Sequence, residues 1–217
     1  MSAHRHHRQD SRPQAADAGG SPRRLIYFPI IHTQADMGAL RDSVVRATLE
    51  KVGRAGLSRK TAAIEKIWTA IEGAINALAL SFDRVRLYQD GLPVCGREAE
   101  IVRELAQAGS RNHQLLLRLM EKGATLMGTE SGELLVQEYQ LARQALKARP
   151  TRSPGVAAQR RVAPDSVLQR RDQFMAQRIN DTLEPGETGI LFVGMLHSVV
   201  RYVQPDVKVI YPLHRPG

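Results

Sequence analysis

Short runs rich in apolar residues, several of them continuously apolar, alternate along the chain with longer stretches in which apolar side chains recur every three or four positions. The runs are Leu25–Ile31 (LIYFPII), Val85–Gln89, Ala124–Met127, Ile190–Leu196 (ILFVGML) and Val207–Tyr211, and each reads as a strand. Pro29 lacks a ladder donor, so the first strand is expected to lie at an edge or to end near Phe28. Helical spacing covers Met37 to about Val52, then a stretch with Ser58 as its expected cap. In that stretch Ile64, Ile67, Trp68, Ile71, Ile75 and Leu78 share one face, and Trp68 is expected to pack on the sheet. Further helices are expected over Glu98–Gln107 and Asn112–Glu121, broken near Gly109, and over Glu133–Ala148 and Asp165–Leu183, the last capped by Asp165 or Ser166. Asp90–Pro93, Glu184–Gly189 and Pro205–Asp206 carry turn residues.

Strands that are apolar throughout, rather than alternately, belong to sheets covered on both faces. The expected class is therefore α/β, a mainly parallel sheet flanked by helices in a single domain spanning residues 23–217. Residues 1–22 have almost no large apolar side chains and read as a disordered basic tail. His4, His6 and His7 are taken as part of that solvated tail rather than as a metal tract. A Pro- and Arg-rich connection at 148–164 is expected to be mobile.

Composition narrows the class without naming a chemistry. The single cysteine, Cys95, excludes an intramolecular disulfide and suits a reducing compartment. No apolar run is long enough to cross a bilayer and no signal-peptide pattern follows the charged start, so the expected location is cytoplasmic, with no membrane partner. The net charge of +9 invites a nucleic-acid reading, but its distribution ranks that reading low. Residues 1–24 carry +3 and residues 147–171 carry +6, while the remainder balances 19 basic against 19 acidic side chains. Weak, salt-sensitive polyanion binding through the basic segments is what such a distribution supports.

In parallel α/β sheets ligands bind beyond the carboxyl ends of the strands, which directs attention to the residues just after each run. Those residues are His32 with Thr33, Asp90, Glu130 with Thr129, and His197 with Ser198. The first and fourth runs end alike, in a histidine followed by a hydroxyl. His32, His197 and Glu130 have the donor types of a zinc-like divalent metal site, in which Glu130 or Asp90, if left off the metal, is the candidate general base. Without metal, the two histidines can supply acid–base chemistry near neutral pH. Each residue also has an ordinary structural reading: histidines bonded to turn backbone, Asp90 as a turn residue before Gly91, and Glu130 at a helix start. The chain has no G-x-x-x-x-G-K-[ST] phosphate loop and no G-x-S-x-G nucleophile elbow, and Cys95 reads as an unpaired thiol.

The late motif GMLH (Gly194 to His197), preceded by RRDQFMAQRI (Arg170 to Ile179), resembles the TraB/ChaN/TIKI superfamily, also called erythromycin-esterase-like. That group has a G-x-x-H near its start, a second one late, and an Arg-bearing helix before the second. Here Arg171 and Asp172 take the positions of the helix's Arg and Asn/Asp, and PIIH keeps His32 but carries Pro29 in place of glycine. The family's acidic pair after the second strand is not present as such; Asp90 stands there alone and Glu130 comes from the next unit. The resemblance spans most of Leu25 to Leu213. It implies an α/β domain with a metal-dependent or acid–base hydrolytic pocket for a small-molecule or peptide substrate, and Arg171 as an anion clamp. It equally allows a relative that kept the pocket for ligand binding or regulation and lost the chemistry.

Overall fold

Among the described residues five strands pair into one all-parallel sheet. They are β1 (Arg23–Ile30), β2 (Val85–Gln89), β3 (Thr125–Met127), β4 (Thr188–Gly194) and β5 (Val207–Ile210). The order across the sheet is β3–β2–β4–β1–β5. The helices are α1 (Arg41–Ala77), α2 (Glu98–Gln107), α3 (Arg111–Glu121), α4 (Gly132–Lys147) and α5 (Pro154–Thr182), with short 3-10 turns at Phe82–Arg84 and Val199–Tyr202. This is the α/β class with helices on both sheet faces. The computed structural model describes residues 21–32, 41–147 and 154–213. The histidines of the tail, Thr33, the expected helix start at Met37 and residues 148–153 lie outside that set.

Successive strand side chains point to opposite faces, and the two cores follow that alternation. Ile26, Phe28 and Ile30 of β1, Val85 and Leu87 of β2, and Ile190 and Phe192 of β4 pack with residues of α1, α2 and α3. Leu25 and Tyr27, Tyr88, and Leu191 and Val193 form the other layer with Met175, Ala176 and Ile179 of α5 and Val199 of the 3-10 turn. The apolar face read on α1 is confirmed. Trp68, Ile71 and Ile75 are buried, and the Trp68 ring lies 6.5 Å from that of Phe192.

β1 is not an edge strand and runs two residues past Phe28, and its proline is tolerated for a local reason. It is flanked by β4 and β5, but the pairing with β5 stops at Ile26. Pro29, opposite Val193, sits where the strand has one neighbour only. The run Ile190–Leu196 is shorter as a strand than expected: β4 ends at Gly194, and Met195 and Leu196 form an exposed turn closed by the His197 N–H to the Gly194 carbonyl at 3.0 Å.

Two helix boundaries also differ. Ser58 is not a cap but lies inside α1, whose regular geometry is interrupted earlier, at Gly53 (φ 67°, ψ 178°). A positive φ is cheap only for glycine, while Leu57, Arg59 and Lys60 are good helix formers that carry the helix across Ser58. The connection expected at 148–164 is helical from Pro154 onward. A proline costs little in a first turn, where its missing N–H has no partner anyway, and the Ala-rich segment after it favours helix. Pro164 then sits inside α5, so the start expected at Asp165 falls within a helix already under way.

Candidate active site

Register brings the ends of three adjacent strands together. Ile30 of β1 is opposite Gly194 of β4, and Gln89, the last residue of β2, is opposite Phe192 of β4. The residues that follow, His32, Asp90 and His197, therefore leave the sheet side by side. Asp90 is the hub. Its backbone N–H continues the ladder to the Phe192 carbonyl, and the Gln89 side-chain amide donates to its carbonyl, which fixes the turn.

One carboxylate oxygen of Asp90, Oδ2, accepts the Gly194 N–H at 2.9 Å and lies 3.1 Å from His32 Nε2 and 3.5 Å from His197 Nε2. The other, Oδ1, accepts from Arg171 Nη2 at 2.7 Å. Gly194 leaves room where these groups meet. A Cβ there would approach Asp90 Oδ2 to 3.0 Å and stand 3.5 Å from the His197 ring and 3.7 Å from His32 Nε2.

Glu130 enters from the far side. Its backbone bridges to Pro93, and its side chain takes Arg171 Nη2 at 2.5 Å on Oε1 and Arg171 Nε at 3.2 Å on Oε2. Oε1 also accepts the Gly91 N–H. Arg171 completes its contacts with Glu138 of α4, at 2.6 Å from Nη1. The fork read as an anion clamp thus directs its donors at three carboxylates, and its structural role is to brace Asp90 and Glu130.

His197 is held from its other side by α5. Its Nδ1 lies 2.6 Å from Asp172 Oδ1, and Asp172 Oδ2 accepts the Ser198 N–H at 2.8 Å. A carboxylate can only accept, so Nδ1 carries a proton, and whenever the ring is neutral the lone pair is on Nε2. Asp90, Glu130, Arg171, Asp172 and His197 are all buried, and His32, with 31% of its side chain exposed, is the open edge of the group.

The electrostatics follow from this packing. Burial opposes ionisation of Asp90, but the His32 hydrogen bond and the charges of His32, His197 and Arg171 outweigh it and hold its carboxyl well below the usual range. Burial dominates at Glu130. With the Asp90 charge adding to it and Arg171 opposing, its carboxyl is pushed up to about 7. Burial would weaken the Arg171 proton, but Glu130, Asp90 and Glu138 together tighten it.

The structure therefore gathers all five sequence candidates, His32, Asp90, Glu130, Arg171 and His197, into one network. Two partners were not among them. Asp172 carried only a family position and no contact, and Glu138 carried no signal beyond sharing a helix face with buried Leu134 at i, i+4. The ligand set expected for a metal, His32, His197 and Glu130, is divided: the two rings face Asp90, while both Glu130 oxygens face Arg171. Among the described residues no group of three or more His, Cys, Asp and Glu side chains is arranged to hold a metal ion. No helix among them is long and apolar enough to cross a membrane. No protein-family model, curated protein or solved structure matches the chain.

Proposed function

We propose that the protein is a hydrolase in which His197 and His32 move the protons at the carboxyl ends of β1, β2 and β4. The observation that carries this reading is the pair of imidazole Nε2 atoms facing one oxygen of a buried carboxylate, with the second nitrogen of His197 fixed by another. Asp172 sets the tautomer and orientation of His197, leaving Nε2 to take a proton from an attacking water. His32, on the open side, donates to the leaving group. Asp90 lies beside both rings and stabilises whichever imidazolium forms, in a site that excludes most water. Arg171 and Glu130 hold Asp90 in place and do not touch the reacting atoms. The resemblance to the TraB/ChaN/TIKI superfamily supports hydrolysis as the reaction class and a small-molecule or peptide as the substrate.

The test is a hydrolysis screen of the purified chain on p-nitrophenyl esters and short peptides, with His197→Ala and His32→Ala alongside and metal content measured on the same preparation. The expected result is turnover that survives chelation and falls at least about a hundredfold in either variant. Stoichiometric bound metal whose removal abolishes turnover would replace the metal-free acid–base reading with a metal-dependent one. Absence of turnover on every substrate overturns the hydrolase reading and leaves a ligand-binding relative.

A further inference from the structure

Most of the side chains that make the site are closed to solvent, so whatever approaches the open edge of His32 meets its neighbours first. Those neighbours are set by register. Ile30 and Gly194 are opposite each other, so Ile31–His32 and Met195–Leu196 run on from adjacent strands. Met195 and Leu196 are the two central residues of the turn that the His197 N–H closes onto Gly194. Central turn positions are ordinarily filled by Gly, Pro, Asn, Asp or Ser. Here they are large and apolar, and they stand in solvent, Met195 55% and Leu196 83% exposed. Among the described residues Leu196 belongs to neither core cluster, and both residues immediately precede His197, the residue whose Nε2 lies near Asp90.

We infer that Met195 and Leu196 form a specificity surface for an apolar group next to the scissile bond, such as an acyl chain or an apolar amino-acid side chain. This rests on the hydrolytic reading of the site. An unbranched thioether beside a leucine adapts to chains of different length, so the surface grades substrates by apolar size rather than selecting one shape. Burying an alkyl chain against these two residues uses the hydrophobic effect outside the closed polar cluster, where it does not disturb the carboxylates.

Two measurements test it. The first is kcat/KM for p-nitrophenyl hexanoate relative to acetate, in wild type and in Met195→Ser/Leu196→Ser. The wild-type ratio should favour hexanoate, and the double variant should lower that ratio by about tenfold, the scale of a few methylenes in a partly open pocket. An unchanged ratio overturns the inference. The second needs no turnover: methyl-labelled methionine NMR of the full chain, titrated with hexanamide and with acetamide. The Met195 methyl should shift with hexanamide and not with acetamide. If wild type hydrolyses none of the esters, the hydrolytic reading falls, and the Met195 shift still decides the apolar surface. No shift at Met195 with hexanamide overturns it.

Discussion

Asp172 holds His197 at 2.6 Å through Nδ1 while its second oxygen takes the backbone N–H of the next residue, Ser198. One carboxylate on α5 thus fixes both the ring and the chain that carries it. Replacing it with Asn keeps the size but offers an amide that can donate to Nδ1, which moves the ring proton to Nε2 and removes the base. Asp172→Asn should lower kcat by about a hundredfold or more with little change in KM. Histidine nitrogen NMR should show the His197 tautomer reversed. A variant with the wild-type tautomer and wild-type kcat would remove Asp172 from the site.

Arg171 is the counter-charge for two buried carboxylates, Asp90 and Glu130, and a third partner, Glu138, that is half exposed. Removing one member of a buried ionic group leaves the others unpaired. Arg171→Met should cost about 3–5 kcal/mol in urea unfolding. Glu138→Gln, at the exposed end of the same network, should cost under about 1 kcal/mol. Equal costs for the two would show that the network is not buried as described.

Glu130 makes the fold sensitive to pH near neutrality. Its carboxyl is raised to about 7 in the fold from an ordinary value of 4.5. Between those values the folded state keeps a proton that the unfolded chain has lost. Its contribution to stability is therefore full below about pH 4.5 and is lost as pH rises through about 7. Glu130→Gln carries no such proton. The stability of the variant relative to wild type should rise between pH 5 and pH 8 by at least about 1 kcal/mol, the worth of a little under one pKa unit. Parallel unfolding curves across that range would assign the titration elsewhere.

Gly194 is small because Asp90 and both rings converge on it. In Gly194→Ala the new methyl presses on Asp90 Oδ2, a group anchored by Arg171. The fold should survive, and turnover should fall by about tenfold or more as the carboxylate is pushed off both rings. Thermal denaturation and kcat/KM on one preparation separate the two effects.

Much of this was legible in the chain itself, for reasons that are local. Short, largely apolar runs marked all five strands and the class of sheet, and the stripe through Trp68, Ile71 and Ile75 placed α1 against it. The strand-end rule selected Asp90, Glu130 and both histidines, since each lies within a few residues of a run. What local pattern could not supply was the pairing between them. The division of Glu130 from the histidines depends on Arg171 arriving from α5, and the hold on His197 depends on Asp172 lying one residue further along the same helix. The boundaries missed at Ser58 and at 154–164 were set by good helix formers that overrode cap and proline signals.

The strand order has a consequence for how the protein comes into being. β1 is flanked by β4 and β5, both made long after it, and β4 separates it from β2. During synthesis the run Leu25–Ile30 therefore waits, apolar and unpaired, until almost the whole sheet has been translated. Pairing over such sequence distances is slow, and a waiting apolar edge invites aggregation. The same delay means that His32 cannot meet Asp90 and His197 in a partly made chain, so the nascent protein carries these side chains apart until β4 slots between β1 and β2.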